Sequence, residues 1–248
     1  MRVGIFDSGI GGVSVLKSLL EARLFEEIIY YGDTARVPYG TKDRETIIAY
    51  SLEALEFFAP HKIDLLIIAC NTVSAYALDI LKAQAPYPVV GVIEAGVLAL
   101  QNKVQDKNAS ILILATQATT KSQVYPKALH SLGYKHIDSI ATTLFVPLVE
   151  EGIYEGEILQ SCFKHYFHAI STPPRAIILG CTHYPFIAKA IREYFGGESL
   201  LIHSGEAIVE QLKKSFELPT LSTPSKLSFY SSQNNSTLSH QAQTLLSL

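Results

Sequence analysis

Two cysteines stand at the ends of apolar runs, each followed by polar residues. Asp64 to Ser74 reads DLLIIACNTVS, so Cys70 closes a strand-like run and precedes Asn71 and Thr72. Residues 175–185 read RAIILGCTHYP, so Cys181 precedes Thr182 and His183. The stretches lie nearly half the chain apart, as expected of two similar halves that each present one thiol. Three chemistries fit. In the first, one thiolate takes a proton from a carbon acid while the other thiol returns one to the opposite face, inverting the stereocentre. In the second, one cysteine attacks an amide or ester with His183 as its base, which leaves the other cysteine without a task. In the third, Cys70, Cys181, His183 and Asp7 bind zinc, although closed zinc sites usually show tighter Cys or His pairing. The bland alternative is a pair of buried core cysteines. The hydroxyl, amide and imidazole groups that follow both of them favour chemistry.

A free thiol has a pKa near ~8.5 and is only a few per cent thiolate at neutral pH. No Lys or Arg flanks either cysteine, so an activating group has to come from elsewhere in the fold. Asp7 is the candidate for Cys70, and His183 with Glu150 for Cys181. The third cysteine, Cys162, lies among Phe163, Tyr166 and Phe167 and reads as core. Three cysteines with no CxxC pair argue against a disulfide scaffold.

The elements that position these residues alternate along the chain. Residues 2–6 form a strand, and Asp7-Ser8-Gly9-Ile10-Gly11-Gly12 turns into a helix carrying Val13, Leu16, Leu19 and Leu20. The glycines leave amides at a helix start where an anion is welcome. The turn is neither GxGxxG nor followed by Gly-Lys-Ser/Thr, which disfavours a nucleotide phosphate. The plain reading of this turn has Asp7 or Ser8 as helix cap. A second strand at 27–31 leads into a decorated loop, 32–41, containing Pro38-Tyr39-Gly40. A helix capped by Asp43 runs to Phe58, followed by the Cys70 strand, a helix over 72–83 and a strand over 89–92.

The second half repeats the alternation. It has strands at 110–115, 136–141, 176–180 and 200–203, helices at 154–168 and from Gly205 to Ser215, and a helix carrying Phe186, Ile187, Ile191 and Phe195. The threonine-rich turn 116–120 holds the place of 7–12. From Pro219 the chain is rich in Ser, Thr, Gln and Asn. One strand at 226–230 reads as a return to the first domain, and the remainder as a loosely held tail. This order predicts an α/β fold of two domains, residues 1–93 with 208–248 and residues 94–207, each a mostly parallel sheet flanked by helices. Ligands of such sheets sit at the carboxyl ends of strands, where Asp7, Cys70, Thr116 and Cys181 lie.

The chain is 48% hydrophobic and 17% charged, which is a globular composition. Its formal charge is −3 with Lys and Arg scattered, which makes nucleic acid a poor primary partner. No run approaches the roughly 18 apolar residues of a membrane helix, and Met1-Arg2 leads directly into VGIF without a signal-like core. A cytoplasmic protein is expected.

These residues resemble the glutamate racemases, cofactor-independent enzymes that make D-glutamate for peptidoglycan and hence for cell shape. The matching stretches are FDSGIGGVSVL at 6–16, YYGDTARVPYG at 30–40, ACNTVSAYAL at 69–78, FVPLVEEG at 145–152 and LGCTHYPFI at 179–187. The resemblance implies two α/β domains related by a pseudo-two-fold, with the active site in the cleft between them. It implies that Cys70 and Cys181 exchange the proton, assisted by Asp7 on one side and by His183 and Glu150 on the other. It further implies that Asp7, Ser8, Tyr39, Gly40, Asn71, Thr72, Thr182 and His183 line the glutamate, with Thr116 and Thr119 as outer contacts. A homodimer is expected on the same ground, and neither metal nor cofactor. His203 stands before Ser204 where many relatives carry an aspartate, and the polar tail has no clear match. The rival readings are a racemase of aspartate or a hydantoin, a single-cysteine amidohydrolase, and an amino-acid-binding protein.

Overall fold

The computed structural model describes residues 1–247. Among these residues nine strands form: β1 Arg2–Asp7, β2 Glu27–Gly32, β3 Leu65–Ile68, β4 Val89–Gly91, β5 Ser110–Ala115, β6 His136–Ala141, β7 Ala176–Gly180, β8 Leu200–His203 and β9 Lys226–Ser231. They make two sheets, ordered β4-β3-β1-β2-β9 and β6-β5-β7-β8, and every pairing is parallel. Parallel sheets are covered on both faces, which is why Val3 to Phe6 and Leu65 to Ile68 are apolar without alternation.

Read in chain order, the first four strands of each sheet are arranged identically. β5, β6, β7 and β8 stand to one another as β1, β2, β3 and β4 do, with β9 added at the edge of the first sheet. Cys70 after β3 and Cys181 after β7 are therefore equivalent positions, as are the ends of β1 and β5. In each sheet the chain turns one way from the first strand to the second and the other way to the third. That reversal opens a crevice at the carboxyl ends of those strands, the place where α/β sheets bind ligands.

The halves share one core. Val3, Ile5, Leu65 and Ile67 of the first sheet and Ile111, Ile113, Ala176 and Ile178 of the second face a common layer, joined by the helices Val13–Ala22, Val92–Lys103 and Ser204–Phe216. Each outer face has its own cluster. Phe6, Ile29 and Ile68 pack on the helix Arg44–Phe58, and Leu112, Leu114 and Leu179 pack on Phe145, Phe163 and Phe167. Cys162 is half-buried beside the second of these clusters.

Several elements depart from expectation. The polar tail is not loose: Asn234 Oδ1 accepts from the Ser236 and Thr237 N–H groups and caps a helix, Asn235–Leu246. Leu238, Ala242 and Leu245 of that helix sit in the shared core. The helix expected over 154–168 begins only at Glu157, because Gly156 precedes it at φ +94°. The helix expected over 72–83 is two, Asn71–Tyr76 and Leu78–Gln84, and Val92 opens a helix instead of closing β4. The segment after Cys181 starts as a short 3₁₀ turn, Tyr184–Ile187, containing Pro185. The first long helix is capped by Gly12 without a side chain, so neither Asp7 nor Ser8 is its cap. Among the described residues no helix is long and apolar enough to cross a membrane.

Candidate active site

Both cysteines line one cavity of about 100 Å³ between the two sheets. Cys70 is the last residue before the helix Asn71–Tyr76, and its thiol donates to Ser8 Oγ at 3.5 Å. Burial pushes this thiol up to about 12, and the nearby Asp7 carboxylate pushes the same way. The Ser8 hydroxyl and the Val73 N–H oppose that shift without reversing it.

Cys181 has different neighbours. Its Sγ lies 3.7 Å from His183 Nδ1, and His183 Nε2 lies 2.6 Å from Glu150 Oε1. Glu150 arrives on a short helix, Phe145–Glu150, placed by Phe145, Val146 and Val149 in the outer core. Burial works against charge on His183. The hydrogen bonds to Cys181 and Glu150 outweigh it and hold the imidazole at about 10. His183 is then an imidazolium at neutral pH, with a donor on each ring nitrogen, and it sets a fixed positive charge beside one sulfur only.

Asp7 is fully buried at the end of β1. Its Oδ1 accepts from the Gly9 N–H at 3.0 Å and its Oδ2 from the Thr182 hydroxyl at 3.2 Å. Burial raises its carboxyl above the usual range, offset in part by the charge on His183. Asp7 is thus tied to the residue after Cys181, while its charge bears on Cys70.

The glycine turn is needed for close approach. A Cβ on Gly11 would overlap His183 Nδ1 and stand 2.5 Å from Thr182 Oγ1. The Ser14 hydroxyl, in the helix that follows, donates to the Thr182 carbonyl at 2.7 Å and pins the same seam.

Of the residues expected at the site, Ser8, Tyr39, Gly40, Asn71, Thr72, Thr116, Thr182 and His183 line the cavity with the two cysteines. Asp7, Glu150 and Thr119 stand behind it, each bonded to a lining residue. Thr72 Oγ1 lies 3.0 Å from Thr116 Oγ1 and 3.2 Å from Thr119 Oγ1, so three buried hydroxyls join the two halves. Thr116 also caps the helix Gln117–Ser122.

Sequence reasoning missed several neighbours. Val37, Val146 and Pro147 supply apolar wall, next to the Pro38 already singled out in the decorated loop, and Gln117 and Thr143 add polar groups. Tyr39 donates to the buried Asp33, whose Oδ2 also holds Arg36 Nε at 2.7 Å. The Asp33 to Arg36 spacing inside the decorated loop was the signal available for that brace. Among the described residues no group of three or more His, Cys, Asp or Glu side chains is placed to hold a metal ion.

The Asp/Glu/Hydantoin racemase family matches residues 9–212. A glutamate racemase of Campylobacter jejuni subsp. jejuni is 56% identical over 248 residues, covering 100% of this chain and 99% of the relative. The crystal structure of glutamate racemase from Campylobacter jejuni subsp. jejuni superposes with a TM-score of 0.98 at 56% identity, covering 100% and 99% of the two chains. The glutamate racemase of Francisella tularensis subsp. tularensis, solved in complex with D-glutamate, gives a TM-score of 0.87 at 33% identity, covering 100% and 94%.

Proposed function

The chain belongs to the Asp/Glu/Hydantoin racemase family, and from that premise we propose that it interconverts L- and D-glutamate by proton transfer at Cα between Cys70 and Cys181. The observation that carries this reading is that two sulfurs from equivalent strand ends line one small cavity. One thiolate takes the Cα proton, and the C–H electron pair passes to Cα and its carboxylate. The opposite thiol gives its proton to the other face and is left as thiolate. Exchange with solvent, or the reverse reaction, resets the pair.

The two sides are unequal before substrate arrives. His183, held by Glu150, sets its imidazolium beside Cys181, while burial and Asp7 keep Cys70 as thiol. Glutamate brings an α-ammonium into the same cavity, a cation that offsets the charge of a Cys70 thiolate when the reaction runs the other way. Ser8, Asn71, Thr72, Thr116 and Thr182 supply hydroxyl and amide groups for its two carboxylates, and Tyr39 and Gly40 form the wall from the braced loop. Such contacts speed the reaction only where they hold the carbanion-like transition state more tightly than the ground state. The chain requires no cofactor in this scheme. By the family resemblance it acts as a homodimer in the cytoplasm and supplies D-glutamate for peptidoglycan. Domains 1–93 with 208–248 and 94–207 close on the substrate and exclude water.

The test is incubation of each glutamate enantiomer in deuterated water. Optical activity decays to zero and deuterium appears at Cα. Cys70→Ala and Cys181→Ala each abolish racemisation, and each retains exchange of only one enantiomer, opposite between the two variants. Retained racemisation in either variant would refute the two-base scheme. Release of ammonia would favour the amidohydrolase.

A further inference from the structure

Asn71 opens the helix Asn71–Tyr76 on the first-sheet side of the cavity, and Tyr125 lies in the helix Val124–Ser131 on the second-sheet side. Both are buried, and the phenol donates to Asn71 Oδ1 at 2.7 Å. The other end of the carboxamide, Nδ2, is buried with no hydrogen-bond partner. Orphaned buried donors are rare in native proteins because nothing replaces the water they lose. This one belongs to a residue that lines the cavity.

The phenol explains which way the carboxamide faces. It has a single proton to give, and the end of the amide it meets, at 2.7 Å, is the oxygen. The phenol proton is therefore directed at Asn71 Oδ1. A flipped amide would bring its NH₂ to the phenol and put a carbonyl where the unpartnered donor now stands. We propose that Tyr125 is a positioning residue: it locks the Asn71 carboxamide so that the NH₂ group is offered to a carboxylate of the bound amino acid. Because the lock reaches across from the second half, the donor is set only while the two halves are packed together. The inference rests on the glutamate reading of the cavity, and it deepens that reading by naming the group that orients one of its contacts.

Tyr125→Phe keeps the ring and removes the hydroxyl. It raises KM for both enantiomers about tenfold, the size of one lost hydrogen bond to a charged group, with the smaller part of the loss in kcat. Asn71→Ala produces a similar rise. In the Asn71→Ala background, Tyr125→Phe changes KM by less than about twofold, because the group it orients is gone. An unmoved KM in Tyr125→Phe, or a further full tenfold rise in the double variant, overturns the proposal. If Tyr125→Phe does not fold, Asn71→Ala decides alone, since an unchanged KM there removes the contact that Tyr125 is said to orient. Wild-type protein assayed in parallel separates the two readings: failure to racemise glutamate sinks the substrate assignment, whereas normal racemisation with an unmoved variant sinks only the lock.

Discussion

His183 and Glu150 are joined at 2.6 Å through Nε2 and Oε1, while the opposite ring nitrogen of the same imidazole faces Cys181. Burial alone would leave this histidine neutral, so the carboxylate behind it and the sulfur before it decide its charge. The thiol of Cys70 meets the Ser8 hydroxyl instead of an imidazole. Two equivalent strand ends therefore carry thiols of different character.

That charge has a consequence for stability. His183 is raised in the folded protein to about 10 from an ordinary 6.5. Its contribution is complete below about pH 6.5 and disappears as pH rises through about 10. The melting temperature of the wild type should fall across that interval. Glu150→Gln removes the charge that helps raise the imidazole, and its melting temperature should fall less over the same range. Parallel curves for the two proteins would show that Glu150 does not hold His183 in its charged form.

Gly11→Ala should separate folding from chemistry. The added methyl overlaps His183 Nδ1 and Thr182 Oγ1 across the seam between the halves, and Gly11 lies in a turn where the backbone needs no positive φ. Far-ultraviolet circular dichroism should stay close to wild type while kcat/KM drops by about 10²-fold, the scale expected when a reacting group is displaced by roughly 1 Å. A variant with near-wild-type kcat/KM would mean that His183 can shift without cost.

Leu238→Ala tests the role of the C-terminal helix. Leu238 is 1% exposed and sits in the core shared by both sheets. Losing its side chain should cost about 2–5 kcal/mol in urea unfolding. Activity per folded molecule should be nearly retained, because the cavity is lined by other segments. A cost below about 0.5 kcal/mol would return the helix to the status of a loose tail.

Much of this was legible in the chain itself. Strands such as 65–68 and 176–180 are apolar without alternation, which marks parallel strands covered on both faces, and such patterns are local. The equivalence of Cys70 and Cys181 could be read for the same reason, since each is placed by the strand immediately before it. The tail helix carried its own signal as well, an Asn234 cap followed by Leu238, Ala242 and Leu245 on one face, but its polar composition masked it. Only the folded molecule decided the electrostatics. Whether Asp7 bonds to Thr182 and whether Tyr125 reaches Asn71 depend on how the two halves pack, and whether His183 is charged depends on burial and on a carboxylate 33 positions away in the chain. A residue's own neighbours in sequence hold no information about the dielectric around it. Burial of Asp7, Cys70 and His183 against the opposite half supplies that, and with it the difference between one thiol and the other.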